Sequence, residues 1–175
     1  DNKSFNYLVI TKEKFPLILT VRGRDLFTNW KGDIKHLYGP FPHGLALRDA
    51  MKLVRRIFPY RDQKCTPCEN QKKLGKVACT PCFNRQIGMC PGVCSGEMGA
   101  REYAQTIHNI SLLFSGKKRK LLQELKREMQ RAAQEERFED AEEARRQVAA
   151  LTHIHDISLI KNESRIAAGG IVTSH

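Results

Sequence analysis

Two short runs of aliphatic and β-branched residues open the chain. They are "YLVIT" at 7–11 and "LILTV" at 17–21, and the segment "KEKFP" separates them. Runs of this length and composition, broken by a proline-containing segment, are typical of β-strands. The pattern therefore predicts an amino-terminal β-hairpin. Gly and Pro recur after it, so strand ends and loops are expected up to the stiff segment "YGPFP" at 38–42.

The period of the apolar residues changes from two to about 3.6 after Gly44. "GLALRDAMKLVRRIF" predicts an amphipathic helix that ends at Pro59, and "GAREYAQTIHNISLLFSG" predicts a second helix that ends at Gly116. The apolar face of the first helix is expected to contain Ala46, Ala50, Leu53, Val54 and Ile57.

The segment 117–153 has the pattern of two charged helices, each with one narrow apolar seam. "KRKLLQELKREMQRAA" and "FEDAEEARRQVAAL" carry the seams, and the break near "QEER" lets the second helix fold back on the first. About 35 residues bury too little surface to be stable alone. The hairpin is expected to pack on the rest of the chain, to pair with a second hairpin in a four-helix bundle, or to remain a solvated hairpin.

The elements together predict an α+β fold that is mostly α. A β-hairpin remnant precedes a metal-stapled Cys-rich region, and an antiparallel αα-hairpin follows it. The predicted divisions are 1–38 (β-hairpin and loops), 39–62 (linker and helix), 63–99 (Cys-rich region), 100–116 (helix), 117–153 (αα-hairpin) and 154–175 (tail).

Charge and hydropathy restrict the classes of function. The 175-residue chain has a net charge of +11, and most of the excess lies in the first hundred residues. A basic surface of this kind favours a polyanion such as DNA or RNA, and the candidate contacts are Arg55, Arg56, Lys72 and Lys73. No apolar run approaches the roughly 18 residues that a membrane span needs. No signal segment opens the chain, and a cytoplasmic internal piece of a longer protein is expected.

All six cysteines lie within thirty residues of one another. They are Cys65, Cys68, Cys79, Cys82, Cys90 and Cys94. The absence of a secretory signal favours metal binding over disulfides. Two Cys-x2-Cys pairs ten residues apart suit a tetrahedral zinc site on Cys65, Cys68, Cys79 and Cys82. Four thiolates from a set of six suit an iron–sulfur cluster equally well, so the spacing leaves both alternatives open.

No enzymatic constellation accompanies the cysteines. The sequence contains no Ser–His–Asp grouping and no Gly-rich phosphate loop, and its six histidines are scattered. The sequence therefore offers no catalytic residue of its own.

Several stretches, taken in order, resemble the UvrC family of bacterial excinuclease subunits. They are "DNKSFNYLVITKEKFP", "YGPFPHG", "LRDAMKLVRRIFPYRDQKC", "PCFNRQIGMCPGVCSG" and "EMQRAAQEERFEDAEEARRQVAAL". The resemblance covers about residues 1–155. It implies the middle of a nucleotide excision repair protein, from the end of a GIY-YIG nuclease domain through a UVR hairpin. Both nuclease centres would lie outside this chain.

The resemblance also implies a cofactor. The family pattern maps onto Cys65, Cys82, Cys90 and Cys94, which would hold a [4Fe–4S] cluster. This chain departs from the pattern by adding Cys68 and Cys79, so the alternative zinc set on Cys65, Cys68, Cys79 and Cys82 stays open.

The resemblance implies two partners, UvrB and damaged double-stranded DNA. The UVR-type hairpin would dock on UvrB through Met129, Ala133, Phe138, Ala141, Val148 and Leu151. Ala144 stands where the family usually has leucine, which should weaken the packing by roughly 1 kcal/mol for each lost methylene. The alternative is a non-enzymatic adaptor that joins zinc to a UVR hairpin and resembles McsA. A generic zinc-ribbon nucleic-acid binder would leave the hairpin unexplained.

Overall fold

A small antiparallel sheet forms the amino-terminal part of the computed structural model, which describes residues 3–154. Its strands are β1 (Asn6–Thr11), β2 (Ile18–Arg22) and β3 (Ile34–Phe41), in the order β2–β1–β3. The predicted β1–β2 hairpin is confirmed. Most of the third strand was expected to be loop, because Gly and Pro at 39–42 are typical of loops. Its backbone instead pairs with β1, and the register of this pairing shifts twice.

β1 is the central strand and is buried on both faces. Leu8 and Ile10 point into the main core. Tyr7 and Val9 point to the opposite face, where they pack with Leu26 of a short helix, α1 (Gly23–Thr28). Because side chains alternate along a strand, one run of apolar residues supplies both cores.

Gly39 permits the close crossing of β3 over β1. Its φ angle is +131°, and a Cβ atom at this position would lie 2.9 Å from Cδ1 of Tyr7 and 3.1 Å from the carbonyl oxygen of Asn6. Any side chain would force the two strands apart, so this position requires glycine.

Six further helices follow in the described part of the chain. They are α2 (Gly44–Ile57), α3 (Cys68–Lys73), α4 (Phe83–Gln86), α5 (Ala100–Phe114), α6 (Lys118–Gln134) and α7 (Phe138–His153). The predicted helices are confirmed, and the mostly α, α+β class is confirmed with them.

The buried face of α2 includes Leu47 and Met51, which the prediction left out, and not Ala46 or Leu53, which it named. Leu47, Met51 and Val54 are buried, whereas Ala46 is exposed. Turning the helix so that Leu47 and Met51 face inward removes more apolar surface from water than burying Ala46 would.

The αα-hairpin joins the main core where α6 begins and α7 ends, and we call this end of the hairpin its root. Leu121 and Leu125 of α6 and Leu151 of α7 are buried in the same cluster as Ile57 of α2 and Phe114 of α5. This result selects the alternative in which the hairpin packs on the rest of the chain. No residue from 126 to 147, around the α6–α7 turn, belongs to this core cluster.

Between residues 3 and 154, no helix is both long and apolar enough to cross a bilayer. The tail predicted at 154–175 lies outside the described residues except for Ile154.

Candidate metal centre

Three cysteine sulfurs converge beside the amino-terminal end of α5. The sulfur atoms of Cys82, Cys90 and Cys94 lie within 4.8 Å of one another. Cys82 precedes α4, and Cys90 and Cys94 lie in the turns that follow it. The backbone N–H of Cys82 donates to Sγ of Cys94 at 3.4 Å. Cys90 and Cys94 are each only 2% exposed, so this donor set is largely withdrawn from water.

Cys65 lies beside Cys90, but its sulfur is not one of the three that converge. A hydrogen bond between the two thiol groups raises the pKa of Cys65 and lowers the pKa of Cys90 to about 5. The backbone N–H groups of Gly92 and Val93 also favour the Cys90 thiolate.

The two additional cysteines behave differently from the four. Cys68 and Cys79 form a disulfide, with their Cα atoms 5.3 Å apart. The expectation of metal rather than disulfides is therefore wrong for this pair. The residues between them fold as α3 and a returning loop, which brings the two ends of the segment together. The alternative zinc set is not assembled, because two of its four sulfurs are bonded to each other.

A tight turn holds Cys90 and Cys94 in place. Gly92 has a φ angle of +100°, and its carbonyl oxygen accepts from the Glu97 N–H at 3.0 Å and from Ser95 Oγ at 3.1 Å. A Cβ atom on Gly92 would lie 2.6 Å from Oε2 of Glu97. Arg85 of α4 donates to the same carboxylate, with 3.0 Å between Nη2 and Oε1. This ion pair ties α4 to the cysteine turn.

Arg55 contacts the cysteine loop directly. Its Nε donates to the carbonyl oxygen of Met89 at 3.0 Å, and its Nη2 donates to that of Tyr60 at 3.2 Å. The guanidinium lies 5.1 Å from the centre of the Tyr60 ring, and its positive charge also lowers the pKa of Cys90. Arg55 was predicted to bind DNA, but its guanidinium makes hydrogen bonds to backbone carbonyls of the chain itself.

The other predicted DNA contacts are on the surface. Arg56, on α2, is exposed, and so are Lys72 and Lys73 at the end of α3. These three cations stay candidates for polyanion binding.

Sequence reasoning missed a buried arginine that supports the start of the cysteine region. Arg61 is 7% exposed. Its Nη1 donates to the carbonyl oxygen of Cys65 at 2.9 Å, its Nε donates to that of Phe15 at 2.8 Å, and it also pairs with the carboxylate of Glu13. Arg61 thereby joins the β1–β2 loop to Cys65. The sequence gives one sign of this role, which is the position of Arg61 between the end of α2 and the first cysteine.

Tyr103 and Gln71 complete this support. The Tyr103 hydroxyl accepts from the Arg61 N–H at 3.4 Å and donates to the Pro16 carbonyl at 2.7 Å. Nε2 of Gln71 donates to the Cys94 carbonyl at 2.9 Å. The Tyr103 bonds join α5 to Arg61 and to the β1–β2 loop, and the Gln71 bond joins α3 to the turn that carries Cys94.

The residues present fit a thiolate-bound metal group. Cys65, Cys82, Cys90 and Cys94 supply four soft donors, which suit either an iron–sulfur cluster or a zinc ion. A tetrahedral ion with metal–sulfur bonds of about 2.3 Å separates its ligand sulfurs by about 3.8 Å. The sulfurs of Cys82, Cys90 and Cys94 converge within 4.8 Å, near that value. Cys65 lies beside Cys90. The donor type fits both groups, so the metal and the full ligand set stay open.

The residues predicted to contact a partner divide into two groups. Leu151 is fully buried in the main core and Val148 packs against it, so Leu151 is not available to a partner. Phe138 is 67% exposed, Ala133 is exposed, and Met129 and Ala141 are half-buried. These four lie near the α6–α7 turn, and we call them the tip patch.

Two family models match the chain side by side. The model described as the UvrC/Cho excinuclease middle domain matches residues 5–113, and the model described as the UvrB/uvrC motif matches residues 119–153. The first match covers the sheet and the cysteine region. The second covers the αα-hairpin.

Curated relatives agree with both matches. The chain is 32% identical to UvrABC system protein C of Mannheimia succiniciproducens over 164 residues, which are 93% of this chain and 25% of that protein. It is 35% identical to the protein of the same name from Caldanaerobacter subterraneus, over 89% of this chain and 24% of that one. With the Synechococcus protein it shares 36% identity, over 88% and 23%.

The chain spans about a quarter of the length of these relatives. No solved structure matches it. Since the middle-domain model alone matches more than half of the 175 residues, the chain belongs to the UvrC/Cho excinuclease family.

Proposed function

We propose that this chain is the connecting segment of a nucleotide excision repair incision subunit. It recruits that subunit to UvrB through the αα-hairpin and contacts damaged double-stranded DNA through its basic surface, and it has no nuclease centre of its own. The observation that carries the proposal is the exposed tip patch on a hairpin that matches the UvrB/uvrC motif.

The hairpin combines a fixed root with a free apolar end. Leu121, Leu125 and Leu151 anchor the root in the main core, while Phe138 stands 67% exposed at the start of α7. An exposed aromatic residue is a common anchor for a partner protein. A second hairpin laid across the tip patch would complete a four-helix bundle.

A pull-down with UvrB tests this docking surface. Replacing Phe138→Ala together with Ala133→Glu should abolish binding, because the first change removes the anchor and the second places a charge in the contact. Phe83→Ala is the matched control, since Phe83 is 70% exposed but lies on α4. Equal affinity of the tip variant and the wild type would exclude docking through the tip patch.

The cations that stay exposed support DNA contact. Arg56, Lys72 and Lys73 extend into solvent, and the chain has a net charge of +11. Binding should be independent of sequence and should weaken steeply between about 50 and 200 mM salt, because each neutralised phosphate releases counterions. A flat salt response would count against this role.

Cys65, Cys82, Cys90 and Cys94 would hold the [4Fe–4S] cluster, or a zinc ion as the alternative. When bound, such a group supplies coordinate bonds that join four separate points of a region poor in apolar residues. The chain's own residues hold the donors in place through Arg61, Gln71 and Arg55. The role we propose for the site is structural.

The adaptor alternative explains less of the molecule. It needs the zinc set that includes Cys68 and Cys79, which are bonded to each other. It also gives no account of β3 with its "YGPFP" segment, which lies inside the middle-domain match.

A further inference from the structure

A cleft of about 790 Å³ lies between the edge strand β2 and helix α2, on the side of the sheet that leads to the cysteine loop. Its walls combine cationic, polar and apolar side chains. The residues that matter for its chemistry are Arg22, Arg48, Lys52, Arg55, Thr20 and Met89.

The charged side chains in this cleft are all positive. Arg22 and Arg48 are exposed, and no carboxylate among the described residues pairs with either of them. Lys52 reaches only Asp49, at 4.0 Å on the outer surface of α2.

Arg55, on the inner wall, hydrogen-bonds to the chain itself. It also pairs with Asp62, with 3.9 Å between Nη1 and Oδ2, so the unpaired positive charge of the cleft is that of Arg22 and Arg48. A concave surface of one sign attracts an anion more strongly than the same charges would on a convex surface.

The dimensions favour a narrow ligand. A volume of about 790 Å³ lies within the range of pockets that hold small molecules, roughly 300–1,000 Å³. A short segment of one nucleic-acid strand falls in this size range.

We infer that this cleft binds one nucleic-acid strand through its phosphates. The inference rests on the proposed contact with DNA and adds to it a site for one strand: Arg22 on β2 and Arg48 on α2 hold the strand from opposite walls. Guanidinium groups suit this purpose because their donors match phosphate oxygens in pairs.

The lining of the cleft also predicts that it does not recognise the bases of the strand. Tyr60 is its aromatic residue, yet it is 8% exposed and its ring carries the Arg55 guanidinium. Stacking on aromatic rings supplies much of the base contact in other single-strand grooves. With that ring covered, the cleft follows the backbone and does not distinguish the bases.

The bound strand would lie against the loop that carries the cysteines. Met89 lines the cleft, its carbonyl accepts from Arg55 at 3.0 Å, and the next residue is Cys90. The wall that the strand touches is therefore the loop that carries Cys90, a candidate metal ligand.

Fluorescence anisotropy with a labelled single-stranded oligonucleotide tests the inference on the full chain. The variant Arg22→Glu with Arg48→Glu should bind at least tenfold more weakly. Its slope of log K against log salt should become shallower by about 1.4, the value for two single-strand phosphate contacts. The charge-matched control is Lys120→Glu with Arg127→Glu, two exposed positions on α6. Circular dichroism confirms that both variants fold.

Each outcome separates this inference from the proposed function. Loss confined to the cleft variant supports the inference. An equal loss in the control, or unchanged single-strand affinity in the cleft variant, would overturn it even if wild-type protein still binds duplex DNA. If the wild type binds neither single strands nor duplexes, the proposed DNA contact fails as well.

Discussion

The guanidinium of Arg55 and the carbonyl oxygen of Met89 are 3.0 Å apart, and this hydrogen bond ties α2 to the loop that carries Cys90. The side chain of Arg55 is 18% exposed. Its neighbour Arg56 is exposed and makes no ion pair within residues 3–154. Two adjacent arginines therefore have opposite roles, one structural and one on the surface.

Arg55→Ala should lower the free energy of unfolding by about 1.5–3 kcal/mol, the cost of losing hydrogen bonds from a charged donor. Arg56→Ala should change it by no more than about 0.5 kcal/mol. Urea unfolding of the two variants measures the difference. Equal effects would contradict the tether between Arg55 and Met89.

Tyr103→Phe should also destabilise the fold, by about 1–3 kcal/mol. Removing the hydroxyl leaves the buried Pro16 carbonyl without its donor at 2.7 Å. Tyr38→Phe is the matched control, because the Tyr38 hydroxyl makes longer contacts of 3.3 and 3.4 Å. It should cost less than about 1 kcal/mol. Thermal or urea denaturation measures the stability of both variants. A larger loss of stability in Tyr38→Phe than in Tyr103→Phe would refute the prediction.

Serine substitutions should separate the cysteines into ligands and non-ligands. Replacing any one of Cys65, Cys82, Cys90 or Cys94 should reduce bound metal, because a hydroxyl is a poor substitute for a thiolate. Replacing Cys68 and Cys79 together should leave the metal in place. Iron, acid-labile sulfide and zinc per chain, measured after anaerobic purification, provide the readout.

The same measurement identifies the metal group. About four irons and four sulfides per chain would support a [4Fe–4S] cluster, and one zinc without sulfide would support the alternative. Loss of metal in the Cys68/Cys79 double variant would instead favour the Cys65, Cys68, Cys79 and Cys82 set.

Leu151→Ala and Phe138→Ala should differ in their effect on stability, although both residues lie on α7. Leu151 is 0% exposed, so its truncation should cost about 2–5 kcal/mol of stability. Phe138 is 67% exposed, so its truncation should change stability by no more than about 0.5 kcal/mol. Unfolding curves of the two variants test the contrast. A large loss of stability on truncating Phe138 would mean that the tip patch is structural.

The sequence by itself determined the elements whose signals are local. The β1–β2 hairpin, the helices α2, α5, α6 and α7, and the family followed from spacing and motif order along the chain. A helical period or an alternating strand is visible within a dozen residues, because the burial of each element selects its own repeat. The four cysteines of the family pattern were likewise named in advance. The structure brings the sulfurs of Cys82, Cys90 and Cys94 together, and the role of the four as metal ligands stays a prediction.

The tertiary structure decided what depends on distant partners. β3 exists because its backbone pairs with β1, despite the Gly and Pro residues that conceal it in the sequence. Arg55 turns inward because an acceptor 34 residues away meets it. Cys68 pairs with Cys79 because α3 folds their segment back. Leu151 is buried because α6 and α7 pack onto α2 and α5. Each result needs two parts of the chain to meet, and no local period carries that information.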